Sequence, residues 1–218
     1  MAAHAGTLCA VIYFFKLELV NMTKSFFTSS SLLKKERKLA LLLILATLPI
    51  VIFGFLASDL VQLNRANISS IAWMNLIFAG LLLLAYKLNP SNKDLIQLTV
   101  LGALFIGLFQ VFALLPGASR SGTAITAALF IGLNLRDASK FSFMLAIPTI
   151  LGALVFLVID LMSSEQIINV GSLLVGFITS MIFAFLTIKY FLAFVERLGM
   201  YPFVFYRIGL GVILLMII

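Results

Sequence analysis

The chain has 218 residues, of which 63% are hydrophobic and 11% charged, with a formal charge of +7 and a mean hydropathy of +1.20. Soluble domains carry about 25% charged residues, so this composition fits none of the usual soluble classes and reads as an integral membrane protein, whose surplus of Lys and Arg is topology charge rather than a nucleic-acid surface. A single cysteine, Cys9, and a single histidine, His4, exclude an intrachain disulfide, a cysteine metal cluster and a zinc site built from several imidazoles.

The first apolar run, Ala5–Phe15, has no basic residue ahead of it, unlike a signal peptide, and predicts a membrane helix running on past Lys16 and Glu18 to Asn21. Lys24–Lys38 is the main basic block. Six of the fifteen positive charges lie between Lys16 and Lys38, which puts this loop on the cytoplasmic side. Spans follow over Leu39–Ala57 and Ala66–Tyr86, with Asp59–Arg65 outside and Lys87–Asp94 an inside turn. Leu95–Leu115 is apolar, the segment PGASRSG at Pro116–Gly122 breaks it, and a second apolar arm runs to Leu135. That arm is shorter than the about 20 residues that cross roughly 30 Å of hydrocarbon. The pair reads as a re-entrant hairpin whose tip stops inside the membrane, where non-helical backbone must be buried in protein or line a watered cavity. Two full spans give the same charge pattern and stay open. Arg136–Lys140 is an inside loop, Phe141–Ile159 a span containing Pro148, and Asp160–Gln166 an outside loop. Val170–Ile188 returns inside, Lys189–Arg197 is a short charged connection, and Leu198–Ile218 ends the chain outside. Gly80, Gly102, Gly107, Gly132, Gly152, Gly171 and Gly176 are expected where helices pack closely.

The informative segment is GLFQVFALLPGASRSGTAIT, Gly107–Thr126. Pro116 and Gly117 break a helix, and Ser119 or Ser121 caps the next one. This gathers free N–H groups, the positive end of a helix, two hydroxyls and Arg120 around one point. An ionised arginine in a membrane is costly unless paired or hydrated, and the same parts suit a phosphate. The competing reading is an ordinary corner with Arg120 snorkelling or in a salt bridge. Gln110 either faces the cavity or joins helices. Thr123 and Thr126 are either ligands or hydroxyls bonded back to their own helix, and Arg207 is either a second buried charge or a snorkelling one. Asp160 and Glu165 read as loop solvation, Lys34–Lys38 as orientation and headgroup attraction, and His4 as an exposed terminal side chain or a functional one.

These residues resemble the bacterial undecaprenyl-diphosphatase family, also known as the bacitracin-resistance family. The match runs through Gly107, Gln110, Ala113, Pro116, Gly117, Ser119, Arg120, Ser121, Gly122 and Thr123. It continues in FSFMLAIPTILGA at Phe141–Ala153, VGFITS at Val175–Ser180 and YPFVFYR at Tyr201–Arg207. Near the start, His4, Gly6, Thr7, Leu8, Ala10 and Val11 fit the same pattern, so the resemblance covers nearly the whole chain.

The resemblance implies an all-α polytopic inner-membrane protein of two inverted repeats, each with a re-entrant hairpin, here an incomplete first repeat over 1–94 and a second over 95–218 within one membrane domain. It implies a hydrolase that converts undecaprenyl diphosphate to the monophosphate and inorganic phosphate in recycling of the cell-wall lipid carrier. Arg120 would hold the diphosphate, Ser119 and Ser121 would act beside it, and Gln110, Gly117, Gly122, Thr123 and Arg207 would complete the binding site. The family's glutamate-x-x-x-glutamate pair and serine-rich tip ending in histidine have no counterpart in this chain, and neither His4 nor Glu18 replaces them. Mg²⁺ or Ca²⁺ is implied for the complete family site, with no complete metal site among these residues. The partners are polyprenyl diphosphate and membrane lipid, without nucleic acid, and dimerisation is open. The alternative is a non-catalytic polyprenyl-phosphate binding or transport protein, since half-helix dipoles aimed at an anion also belong to transporters.

Overall fold

A computed structural model describes residues 1–28, 33–57, 67–91, 93–162 and 170–217. The described residues form helices and no strand. In chain order these are α1 (Ala2–Phe14), α2 (Lys16–Phe27), α3 (Lys34–Leu56), α4 (Ile68–Leu88), α5 (Val100–Gln110), α6 (Arg120–Phe130), α7 (Leu135–Met162), α8 (Val170–Leu198) and α9 (Tyr201–Ile217), with short 3-10 turns at Leu95–Gln97 and Val111–Leu114. α3, α4, α7 and α8 are each long and apolar enough to cross a membrane. The protein is thus an all-α, multi-pass membrane protein. The expected outer segment Asp59–Arg65 and most of Asp160–Gln166 lie outside the described residues.

The first helix departs from expectation. It does not run straight to Asn21 but bends by 76° at Phe15, and α2 continues to Phe27. α2 buries Met22 and Ser25, and its last carbonyls are met from α3: Arg37 donates from Nε to the Ser25 carbonyl at 2.8 Å and from Nη2 to the Thr28 carbonyl at 3.0 Å. Part of the basic block therefore satisfies a helix C-terminus instead of facing lipid headgroups.

Two expected loops are helical. Arg136–Lys140 forms the first turn of α7, capped by Asn134, whose Oδ1 accepts from the Asp137 N–H at 2.8 Å. Lys189–Arg197 lies inside α8, which ends only at Gly199, where φ is +67°. Charge at the wet end of a long helix needs no break in the backbone, so charge runs overstate loops. These ends come together: Arg136 Nε pairs with Glu196 at 2.8 Å, Lys140 with Glu18 at 2.8 Å, and Lys38 Nζ donates to the Ile96 carbonyl at 3.1 Å.

α5 and α6 form the expected hairpin. Each has 11 residues, a rise of about 16 Å, roughly half of the hydrocarbon thickness, so neither arm crosses alone. The open end is sewn shut around Lys93, whose N–H donates to the Gly132 carbonyl at 3.1 Å and whose carbonyl accepts from Asn134 N–H at 2.9 Å. Asn89 Nδ2 adds a bond to the Leu133 carbonyl at 2.8 Å. α6 is the buried centre of the molecule, enclosed from Gly122 through Leu129, and it packs against α4, α5 and α7. Its alanines let these neighbours approach. α1 lies along α8, α4 along α9, and α3 along α5, while Phe53, Phe55, Leu101, Val155, Phe183 and Phe205 remain exposed on the outside, as a lipid-facing surface requires.

The glycine expectations divide. Gly107 packs so tightly on α3 that an added Cβ would strike the Ala46 backbone carbonyl, and Gly102 would meet Ile131 and Leu98 at 3.1 Å. Gly80 has nothing within 4 Å, so it is not a packing site. Gly132 instead serves the turn after α6, with φ at +90°.

Candidate functional site

The hairpin tip is Leu115–Ser119. Gly117 adopts φ of +95°, and a Cβ there would run into the Ile71 carbonyl of α4, so the position accepts only glycine. Ser119 follows with φ of +65°, an unusual value for a residue with a side chain. That backbone turns its hydroxyl onto α6, where Oγ accepts from the Gly122 N–H at 3.3 Å. Ser119, not Ser121, is the cap. The Thr123 N–H bonds the Ser119 carbonyl at 2.9 Å. The N–H groups of Arg120 and Ser121 have no partner among the described residues, which leaves the positive end of an 11-residue helix available to an anion.

Arg207 of α9 reaches this tip. It does not snorkel: it is 3% exposed. Its Nη2 donates to the carbonyls of Gly117 at 2.8 Å and Ala118 at 3.3 Å, and its Nε donates to Asn75 Oδ1 at 2.7 Å. Asn75 Nδ2 returns a bond to the Arg207 carbonyl at 2.7 Å. Nη1 is buried without a hydrogen-bond partner among the described residues, and it lies 2.8 Å from the position a Cβ on Gly122 would occupy, next to Ser119 Oγ at 3.2 Å from that same point. Arg207, Ser119, Gly117 and Gly122 are therefore brought to one place.

Arg120, the first residue of α6, is half-buried, and its guanidinium has no ion pair or hydrogen bond among the described residues. The side chain of Ser121 is half-buried, and its carbonyl accepts from Ser142 Oγ of α7 at 3.2 Å. Thr123 is fully buried and donates to the Arg120 carbonyl at 2.8 Å, as Thr126 does to the Gly122 carbonyl at 2.7 Å. Their hydroxyl protons are used within α6, leaving only oxygen lone pairs. Gln110, at the end of α5, is 1% exposed, with both amide atoms unpartnered among the described residues. Glu18 sits at the opposite end of the hairpin, in a crevice with Asp94, Asp137 and Lys140.

The donor set around the tip consists of N–H groups, hydroxyls and two guanidinium groups. It suits an anion rich in oxygen lone pairs. It does not fit Mg²⁺ or Ca²⁺, which take carboxylate and carbonyl oxygens, and among the described residues no three or more His, Cys, Asp or Glu side chains come together as a metal site. Asn75 is the residue that sequence reasoning missed. A lone asparagine in an apolar helix was the available signal, and a polar amide in such a helix calls for a buried partner.

Comparison with known proteins supplies the family. The model of the bacitracin resistance protein BacA matches residues 1–213. An undecaprenyl-diphosphatase of Alcanivorax borkumensis is 42% identical over 217 residues, covering 99% of this chain and 82% of the relative. One of Alteromonas mediterranea is 40% identical over 217 residues, with the same 99% and 82% coverage.

Proposed function

Since this chain belongs to the BacA family of bacitracin resistance proteins, we propose that it acts as an undecaprenyl-diphosphatase, hydrolysing undecaprenyl diphosphate to undecaprenyl phosphate and inorganic phosphate in recycling of the cell-wall lipid carrier. The observation that carries this reading from the structure is the buried Arg207 Nη1, without a partner among the described residues beside the open start of α6.

In phosphoryl transfer the protein contributes mainly position and positive charge. Water attacks the terminal phosphorus, the bond from that phosphorus to the bridging oxygen breaks, and the bridging oxygen leaves with the lipid monophosphate. Arg120, half-buried at the tip, takes the terminal phosphate. Arg207 Nη1 and the N–H groups of Arg120 and Ser121 hold the diphosphate oxygens, and the hydroxyls of Ser119 and Ser121 orient them. Gln110 offers an amide from the α5 side, while Gly117, Gly122 and Thr123 shape the floor. Arginine is no base, so the proton of water goes to an acceptor outside this set. The tip does not fit a divalent cation, and no step here is derived through one.

The basic ends gathered around Lys38, Lys93, Lys140 and Arg136 support a cytoplasmic assignment for that face of a bacterial inner-membrane protein. The tip then lies toward the outer side, with the C-terminus. The relatives' names support hydrolysis over the binding or transport alternative.

Phosphate release from undecaprenyl diphosphate by the purified, folded chain tests the reading, with Mg²⁺, Ca²⁺ or chelator present and with Arg120→Ala alongside. Release that depends on Arg120 is expected. A folded protein that binds the lipid and releases no phosphate would return the non-catalytic alternative.

A further inference from the structure

Arg207 is 3% exposed, yet no carboxylate pairs with it among the described residues. Its acceptors are the neutral oxygens of Asn75, Gly117 and Ala118. Neutral acceptors satisfy N–H groups but leave the full positive charge in place, and a buried charge without a counter-charge is costly. Aspartate has the size of asparagine and would accept from Nε in the same place, with ion pairing added. Asparagine does something aspartate cannot: its Nδ2 donates back to the Arg207 carbonyl. The amide thus fixes both the side chain and the backbone of Arg207 while withholding a negative charge.

The direction of the fork gives this a purpose. With Nε held by α4 and Nη2 held by the tip, Nη1 is the nitrogen turned to the first turn of α6, and it is the nitrogen without a partner. We propose that Asn75 is a positioning residue that keeps Arg207 as an un-neutralised cation aimed at the start of α6, so that the missing counter-charge is a phosphate group of the bound substrate. This deepens the proposed function and rests on it for the identity of that phosphate as part of a lipid diphosphate.

Asn75→Asp tests it against wild type in the same detergent or proteoliposomes. The measurements are thermal unfolding with and without inorganic pyrophosphate, and KM and kcat for undecaprenyl diphosphate. The variant is expected to fold, the ion pair to Arg207 Nε offsetting the loss of the Nδ2 bond to the Arg207 carbonyl. Its KM is expected to rise about tenfold or more, the loss of one charge-assisted contact, and stabilisation by pyrophosphate to disappear. A structural role alone predicts unchanged KM and unchanged pyrophosphate stabilisation in a folded N75D, and either result overturns the proposal. Should N75D not fold, Arg207→Gln removes the charge and keeps an amide N–H near the position of Nε, within reach of Asn75; pyrophosphate stabilisation that survives in R207Q also overturns it. Wild type that releases no phosphate but is stabilised by pyrophosphate, with the effect lost in N75D, refutes hydrolysis and supports the positioning role. Wild type that pyrophosphate does not stabilise overturns the positioning role whether or not it hydrolyses the lipid.

Discussion

Asn75 and Arg207, 132 residues apart in the chain, hold each other through two reciprocal hydrogen bonds of 2.7 Å, one to the guanidinium and one to the backbone carbonyl. The pair joins α4 to α9 at the level where Arg207 also grips the hairpin tip. Replacing Asn75 by leucine leaves a buried guanidinium nitrogen unpaired and removes the second bond to a carbonyl already used within α9. The expected cost is about 3 kcal/mol, read as a fall in thermal stability in detergent and as faster proteolysis near Gly117.

Arg120 should behave in the opposite way. Its guanidinium has no partner among the described residues, so Arg120→Ala should unfold within a few degrees of wild type. Phosphate release should drop about a hundredfold or more, the effect of removing a charged donor from a phosphoryl-transfer site. A large loss of stability with unchanged activity would assign Arg120 to the scaffold.

Ser119 separates backbone strain from capping. At φ of +65° a glycine relieves strain while giving up the Oγ cap on Gly122. Ser119→Gly should therefore be as stable as wild type, whereas Ser119→Ala keeps the strain, loses the cap and should cost about 1 kcal/mol. Both should raise KM in the phosphate-release assay, since each removes the hydroxyl beside Arg207 Nη1.

Gly107 and Gly80 make a matched pair inside two membrane helices. Gly107→Ala drives a methyl into the Ala46 carbonyl, while Gly80→Ala enters open space. The first should destabilise by about 1–3 kcal/mol, and the second should be neutral or stabilise by up to about 1 kcal/mol. Thermal melts of the two variants, side by side, check the sign of each.

Gly122→Ala tests the space beside the free nitrogen. The new methyl would sit 2.8 Å from Arg207 Nη1, so the guanidinium must shift to admit it, and α6 is otherwise a favourable place for alanine. Folding should survive and KM for the lipid diphosphate should rise. An unchanged KM would place the phosphate elsewhere.

Apolar runs marked the spans and the hairpin because hydrocarbon length sets helix length, and Pro116–Gly117 marked the tip because no helix continues through it. Charge marked the wet ends of helices but misplaced their limits: Arg136–Lys140 and Lys189–Arg197 read as loops although both belong to α7 and α8. The bend at Phe15 left no trace, since neither proline nor glycine stands there and it follows from packing of α2 on α3. In the candidate site, the tip that carries Ser119 as a helix cap and Arg120 as the first helical residue was legible from local pattern. Asn75 was not, because its meaning lies wholly in Arg207, a helix from the far end of the chain.

That separation bears on how the protein is made. The hairpin leaves the ribosome well before α9, and until Arg207 arrives the Gly117 and Ala118 carbonyls lack the donor they have in the finished fold. The two arms are too short to be inserted as spans by their own length. They pack on α3 and α4, made before them, but the tip is completed only by a helix synthesised about eighty residues later, at ordinary elongation rates a delay of several seconds. Completion of the tip is thus a late event, in which α9 brings Arg207 to carbonyls laid down long before it.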